Sequence, residues 1–77
     1  MAWNNDISFE IKEQLGILSV NTKNAWQTEL NLVSWNDKEA KYDIRPWSPT
    51  HEKMGKGITL TKEELMALRA TLNNITL

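Results

Sequence analysis

Two kinds of side chain in this sequence are costly to place and able to do chemistry. One is tryptophan: Trp3, Trp26, Trp35 and Trp47 stand beside a single Tyr and a single Phe. The other is the set of cations around the last two tryptophans, namely Arg45, Lys38, Lys41, Lys53 and Lys56. An indole offers a broad flat face for stacking, and its N–H seeks an acceptor. A guanidinium two residues from an indole on a strand can grip a phosphate or stack on a ring. Cations along a path, with aromatic faces between them, are what an unpaired nucleic-acid strand requires; stacking contributes about 1–3 kcal/mol per base. Each residue also has a plainer reading. Trp35 can pack across a sheet, Trp47 can lid its end, Arg45 can pair with a carboxylate, and lysines are commonly solvated charges. The residues alone leave these alternatives open. Trp26 reads as core, and Trp3 receives no role.

Other chemistries find little footing. Without cysteine there is neither a disulfide nor a thiolate metal site. The lone His51 cannot anchor zinc without several carboxylates; between Thr50 and Glu52 it reads as a surface histidine. No G-x-S-x-G or P-loop spacing occurs. Gly55-Lys56-Gly57 reads instead as a tight lead into a strand, and Asp43 beside Arg45 as a structural ion pair. No enzyme activity, cofactor or metal is expected. The net charge of −1 argues mildly against a nucleic-acid binder, since such domains are often basic. Glu63 and Glu64 serve a helix start and Asp6 lies near the chain end, but Glu10, Glu13, Glu29, Asp37, Glu39, Asp43 and Glu52 remain. The expectation is modest affinity with clear salt dependence.

The elements that must position these residues follow from periodicity. Phe9 and Ile11 alternate with Glu10 and Lys12, and Leu15 and Ile17 flank Gly16, which predicts a half-buried strand with a bulge or bend. After the turn-rich Asn21–Asn24, a second strand runs from about Trp26 to Trp35. Leu30 and Leu32 share one face; Glu29, Asn31, Val33 and Trp35 share the other. The turn at 36–39 contains no glycine. A third strand, Lys41–Trp47, places Tyr42 and Ile44 opposite Asp43, Arg45 and Trp47. Pro46 marks a strand end or an edge. Residues 48–56 form a loop, and a short strand at 57–60 leads into a helix. Thr61 and Glu64 make a capping box, and Leu65, Leu68, Leu72 and Ile75 form one stripe, with Met66, Ala67 and Ala70 as a weaker patch.

The order is ββββα, an α+β fold with an antiparallel sheet, because its links are too short for crossovers. At 77 residues the chain is a single domain, with residues 1–6 expected to be a flexible tail. So short a chain buries a small share of its surface and needs a staple. A second copy is the staple expected, docked through Leu65, Met66, Leu68, Leu72 and Ile75. The first residues carry no basic segment and no apolar run, and no stretch is long enough to span a membrane; a cytoplasmic protein is expected.

Glu29–Trp35, Tyr42–Trp47 and Met54–Thr61, followed by an acidic-led helix, resemble the positive cofactor four family of transcriptional coactivators, in its bacterial YdbC-like branch. The resemblance covers roughly residues 8–74. Its most specific pieces are Asp43-Ile44-Arg45 and, about a dozen residues on, Lys56-Gly57-Ile58-Thr59-Leu60. It implies a curved four-stranded sheet, a homodimer made by helix pairing, and a channel for single-stranded DNA. By position it places Trp35, Arg45, Trp47, Lys53 and Lys56 on the binding surface, with Lys38 and Lys41 able to widen the basic track. Pro46 departs from the family pattern, where an acidic or polar residue is expected. The function implied is single-stranded DNA binding with little sequence preference, in support of transcription, replication or repair. Two alternatives stay open: a protein–protein adaptor using a sheet edge or the Trp-bearing face, and an RNA-binding module.

Overall fold

A computed structural model describes residues 7–77; the expectations for residues 1–6, Trp3 included, lie outside it. Strands β1 (Phe9–Val20), β2 (Gln27–Trp35), β3 (Lys41–Trp47) and β4 (Ile58–Leu60) form one antiparallel meander in the order β1-β2-β3-β4, and helix α1 (Lys62–Asn73) follows. The ββββα order is as expected. Three register irregularities interrupt β1, between Ile11 and Glu13, Gln14 and Gly16, and Ile17 and Ser19. Bulges bend a strand and increase its twist. Phe9 pairs directly with Trp35, its ring 5.9 Å away, and the curvature of the sheet also brings it within 5.0 Å of Trp47, two strands away.

The β2–β3 hairpin turns without glycine because Asn36 and Asp37 both take left-handed backbone (φ 51° and 62°). Asn and Asp tolerate that region, which a tight primed turn demands. Lys38 N–H closes the turn on the Trp35 carbonyl at 2.9 Å, and Asn36 exchanges bonds with Ser8, donating to its carbonyl and accepting its N–H. The turn thereby fixes the end of β2 from which Trp35 projects.

The two faces of the sheet are occupied differently. One carries the rows Leu30–Ile44–Ile58 and Leu32–Tyr42–Leu60 across β2, β3 and β4. The other carries Glu29, Asn31, Val33, Asp43 and Trp47, all fully buried. The sequence reading left this second face open; the structure corrects that. The 48–56 loop folds across it, with Trp47 bridging to Met54, and Phe9 closes it from β1.

Helix α1 starts as read. Thr61 Oγ1 accepts from Glu64 N–H at 3.1 Å, and Glu64 accepts from Thr61 N–H at 2.8 Å. It ends at Asn73 with Asn74 as cap, so Ile75 lies beyond the helix. No helical residue is buried. Leu65, Met66, Leu68 and Leu72 line a groove of about 500 Å³ with Leu30 and Tyr42. The apolar stripe thus faces the leucine rows but is not covered by them.

β4 lies against β3 through Gly57. A Cβ at this position would stand 2.2 Å from the Ile44 carbonyl oxygen and 2.3 Å from Arg45 Cβ. Both obstacles belong to a central strand and cannot withdraw. Gly57→Ala is expected to detach β4 and lower the melting temperature by several degrees, since a cost of 1 kcal/mol lowers it by about 4–8 °C in a domain of this size; thermal unfolding followed by circular dichroism checks this.

Candidate nucleic-acid interface

An opening on the buried face lies at the Trp35 end. A cleft of about 600 Å³ there is lined by Ile7, Trp35, Asn36, Arg45, Met54, Gly55, Lys56 and Thr59. Its floor is organised by Asp43, fully buried in the middle of β3. The Asp43 carboxylate accepts Arg45 Nε at 2.6 Å and Nη2 at 2.8 Å, and Thr59 Oγ1 at 3.0 Å. The guanidinium so held lies 4.6 Å from the centre of the Trp35 ring, a cation–π distance. Met54 Sδ accepts weakly from Arg45 Nη1 at 3.6 Å. A chain of contacts therefore runs from a buried carboxylate through an arginine to a half-buried indole at the cleft wall.

The sequence-derived residues part company here. Trp35, Arg45 and Lys56 meet in the cleft. Trp47 does not: it is fully buried, 5.6 Å from the His51 ring and against Phe9, so it is a core residue presenting no face to a ligand. Arg45 is engaged by Asp43, with 15% of its side chain exposed, and its first task is holding Trp35 rather than gripping a phosphate. The ion pair read from Asp43 and Arg45 is present. Lys53 is exposed on the loop, Lys38 in the turn beside Trp35, and Lys41 at the start of β3 on the cleft's face of the sheet; none of the three lines the cleft. Among the described residues, Lys38, Lys41, Lys53 and Lys56 form no ion pair, which leaves their charges available. Asn36, Met54 and Thr59 were missed. Thr59 was legible in principle: on the short strand expected at 57–60 its parity sets it apart from Ile58 and Leu60, and in the structure it pairs with Asp43.

A second polar cluster sits at the other end of this face. The buried Glu29 accepts from Asn31 Nδ2 (3.0 Å), Gln27 Nε2 (3.0 Å) and His51 Nε2 (2.9 and 3.0 Å). His51 is therefore no ordinary surface histidine; it is the loop's anchor. Burial pushes the Glu29 carboxyl upward, but the bonds from Asn31 and His51, the His51 charge and the bond from Gln27 outweigh it and hold the group below its usual value. Among the described residues no group of three potential ligands is placed to hold a metal ion, and no helix is long and apolar enough to cross a membrane.

Comparison with known proteins places the chain in a family. A protein of Treponema pallidum (strain Nichols), itself uncharacterized, is 49% identical over 74 residues, covering 96% of this chain and 86% of its own length. Residues 22–71 match the transcriptional coactivator p15 (PC4) family, a family of DNA-binding, coactivator-like domains. That match takes in β2, every cleft residue but Ile7, the 48–56 loop and nearly all of α1, and this chain belongs to the transcriptional coactivator p15 (PC4) family.

Proposed function

We propose that this chain is a homodimeric, cytoplasmic single-stranded DNA-binding protein of a bacterium, with little sequence preference, which supports transcription, replication or repair. It binds and does not catalyse. The observation that carries the reading is the cleft in which a half-buried Trp35, steadied by the Asp43-bound Arg45, stands beside Lys56. An indole held in one orientation is ready to stack on a base without first losing its own freedom. Duplex DNA presents no free base faces, so the same cleft discriminates by strandedness. Lys56 and Lys53 on the loop, with Lys38 and Lys41 across the hairpin, supply the backbone charges.

Variants separate the parts. Trp35→Ala is expected to weaken binding of an oligodeoxythymidylate by about 5- to 150-fold, the equivalent of about 1–3 kcal/mol of stacking. Lys56→Ala is expected to leave the fold intact and make the salt slope shallower by about 0.7. Both are read by fluorescence anisotropy of a labelled oligonucleotide. Unchanged affinity in Trp35→Ala would remove the cleft from the site.

The dimer rests on the open apolar groove. Met66, Leu68 and Leu72 are exposed on α1 opposite Leu30 and Tyr42, and Ile17, Leu18, Val20 and Ile58 add exposed apolar surface on the strands. A monomer rarely leaves so much apolar surface to water, and a second copy presenting the same helix covers it by two-fold symmetry. Leu68→Glu is expected to convert a species of twice the chain's 8.9 kDa into one of half that mass, measured by light scattering on a size-exclusion column. A wild-type protein running as a monomer at micromolar concentration would contradict the dimer.

A further inference from the structure

The Glu29–His51 pair has no place in ligand contact, yet it is the most completely desolvated charge contact of the loop. Glu29 is fully buried in mid-strand, while His51 keeps 30% of its side chain exposed. A buried carboxylate needs compensation, and removing its partner is costly. Every other group around it is accounted for. On β2, Gln27 and Asn31 are neutral donors. On β1 its pairing partner is Ile17. On β3 its partner Arg45 is bound to Asp43. On the loop, Glu52 is exposed and accepts from Thr50 Oγ1 at 3.3 Å, and Lys53 is exposed. His51 is thus the sole cationic group that contacts Glu29 among the described residues, and its charge depends on pH.

The loop's geometry is organised around that contact. Ser48 and Lys53 are tied by two bonds, Ser48 N–H to the Lys53 carbonyl (2.9 Å) and Lys53 N–H to Ser48 Oγ (3.0 Å). Between them His51 takes left-handed backbone at φ 63°, a region a non-glycine residue enters at a cost. What returns that cost is the reach of its ring across Trp47, 5.6 Å away, to Glu29. The same loop carries Lys53, Met54 and Lys56, two of which line the cleft.

We infer that His51 is a protonation-dependent latch: its ion pair with buried Glu29 clamps the 48–56 loop over Trp47, and loss of its proton loosens the loop and, with it, Lys53, Met54 and Lys56. The latch stands on the geometry of the free protein; only its consequence for DNA rests on the function proposed above. A histidine paired with a carboxylate contributes while it is protonated and ceases to as pH rises. Glu29, held below its usual value, contributes fully above the ordinary carboxylate range and stops doing so as pH falls through its lowered value. The clamp is therefore firm in an intermediate window and released on both sides.

The test uses the full chain without ligand. Amide signals of residues 48–56 and the Trp47 indole N–H are followed by NMR from about pH 5.5 to about pH 8.5, the range in which histidine changes charge. The expected result is that they shift together with the His51 ring signals in the wild type, and lose that shared titration in Glu29→Gln. His51→Gln, altered at a partly exposed site, keeps a donor without the titratable charge; it folds even if Glu29→Gln does not, and its loop signals are expected to be independent of pH. Loop signals that ignore pH in the wild type, or that titrate equally in the variants, overturn the latch. A parallel titration with oligodeoxythymidylate is expected to show affinity falling about threefold to tenfold across that range in the wild type, the scale of one modest charged contact, and staying flat in His51→Gln. If the loop titrates while affinity does not, the latch is upheld and Lys53 and Lys56 are removed from the binding surface.

Discussion

Trp47→Ala is expected to remove a large part of the stability of the fold rather than to weaken ligand binding selectively. The side chain is fully buried, packed against the tilted rings of Phe9 at 5.0 Å and His51 at 5.6 Å, and its strand position bridges to Met54 of the covering loop. Truncating a buried tryptophan to alanine costs about 3–5 kcal/mol. A domain of this length has about 4–12 kcal/mol in total. The loss therefore removes at least about a quarter of the total stability and, toward the lower end of that range, brings the variant to its unfolding midpoint at 25 °C. Far-ultraviolet circular dichroism and urea unfolding measure it. A variant that stays folded with wild-type stability yet loses DNA affinity would return Trp47 to the binding surface.

Asp43→Ala should be nearly as damaging. It leaves the Arg45 guanidinium, mostly buried, without its two carboxylate bonds, and Thr59 Oγ1 without its acceptor. Breaking a buried pair from one side costs about 3–5 kcal/mol because the remaining charge is uncompensated. The second change is informative. Asp43→Ala combined with Arg45→Met removes both charges, and it should recover a large part of the stability, since apolar replacements of buried pairs are often neutral. DNA affinity should not recover, because Trp35 would have lost the guanidinium that lies 4.6 Å from its ring. Urea unfolding of the two variants, with anisotropy measured on the stable one, separates the two roles. Equal instability in single and double variants would mean that Arg45 contributes through packing and not through its charge.

The backbone was largely legible because its signals are local. Strand β3 runs over Lys41–Trp47 as the alternation indicates, and the Thr61–Glu64 capping box starts α1 where those two residue types predict. Ile75 was assigned to the helical stripe because its spacing fits; the helix stops two residues earlier at Asn73, with Asn74 as its cap. The face of burial was misread for a physical reason. Glu29, Asn31 and Asp43 make one side of β2 and β3 look solvent-facing, since polar residues ordinarily mark the wet face of a strand. Here they are buried and bonded to Gln27, His51, Arg45 and Thr59. That closure comes from a loop that leaves the end of β3 and folds back over β2, more than a dozen residues earlier in the chain, which no periodicity reveals. Of the candidate site, Trp35 and Lys56 were legible from residue type and parity. Trp47 has the same type and the same parity, and only the position of the loop distinguishes it.

In the binding mode proposed above, the Trp35 indole and the lysines beside one cleft hold an unpaired strand. The measurement that reaches it most directly is a Trp-fluorescence titration of the wild-type chain with a deoxythymidine oligomer and with a duplex of equal length, at two salt concentrations. The expected result is quenching by the single strand and far less by the duplex. Affinity is expected to fall with salt at a slope of about −1.5 to −3, as two to four lysines neutralise phosphates. Equal response to both nucleic acids, or none to either, would contradict it.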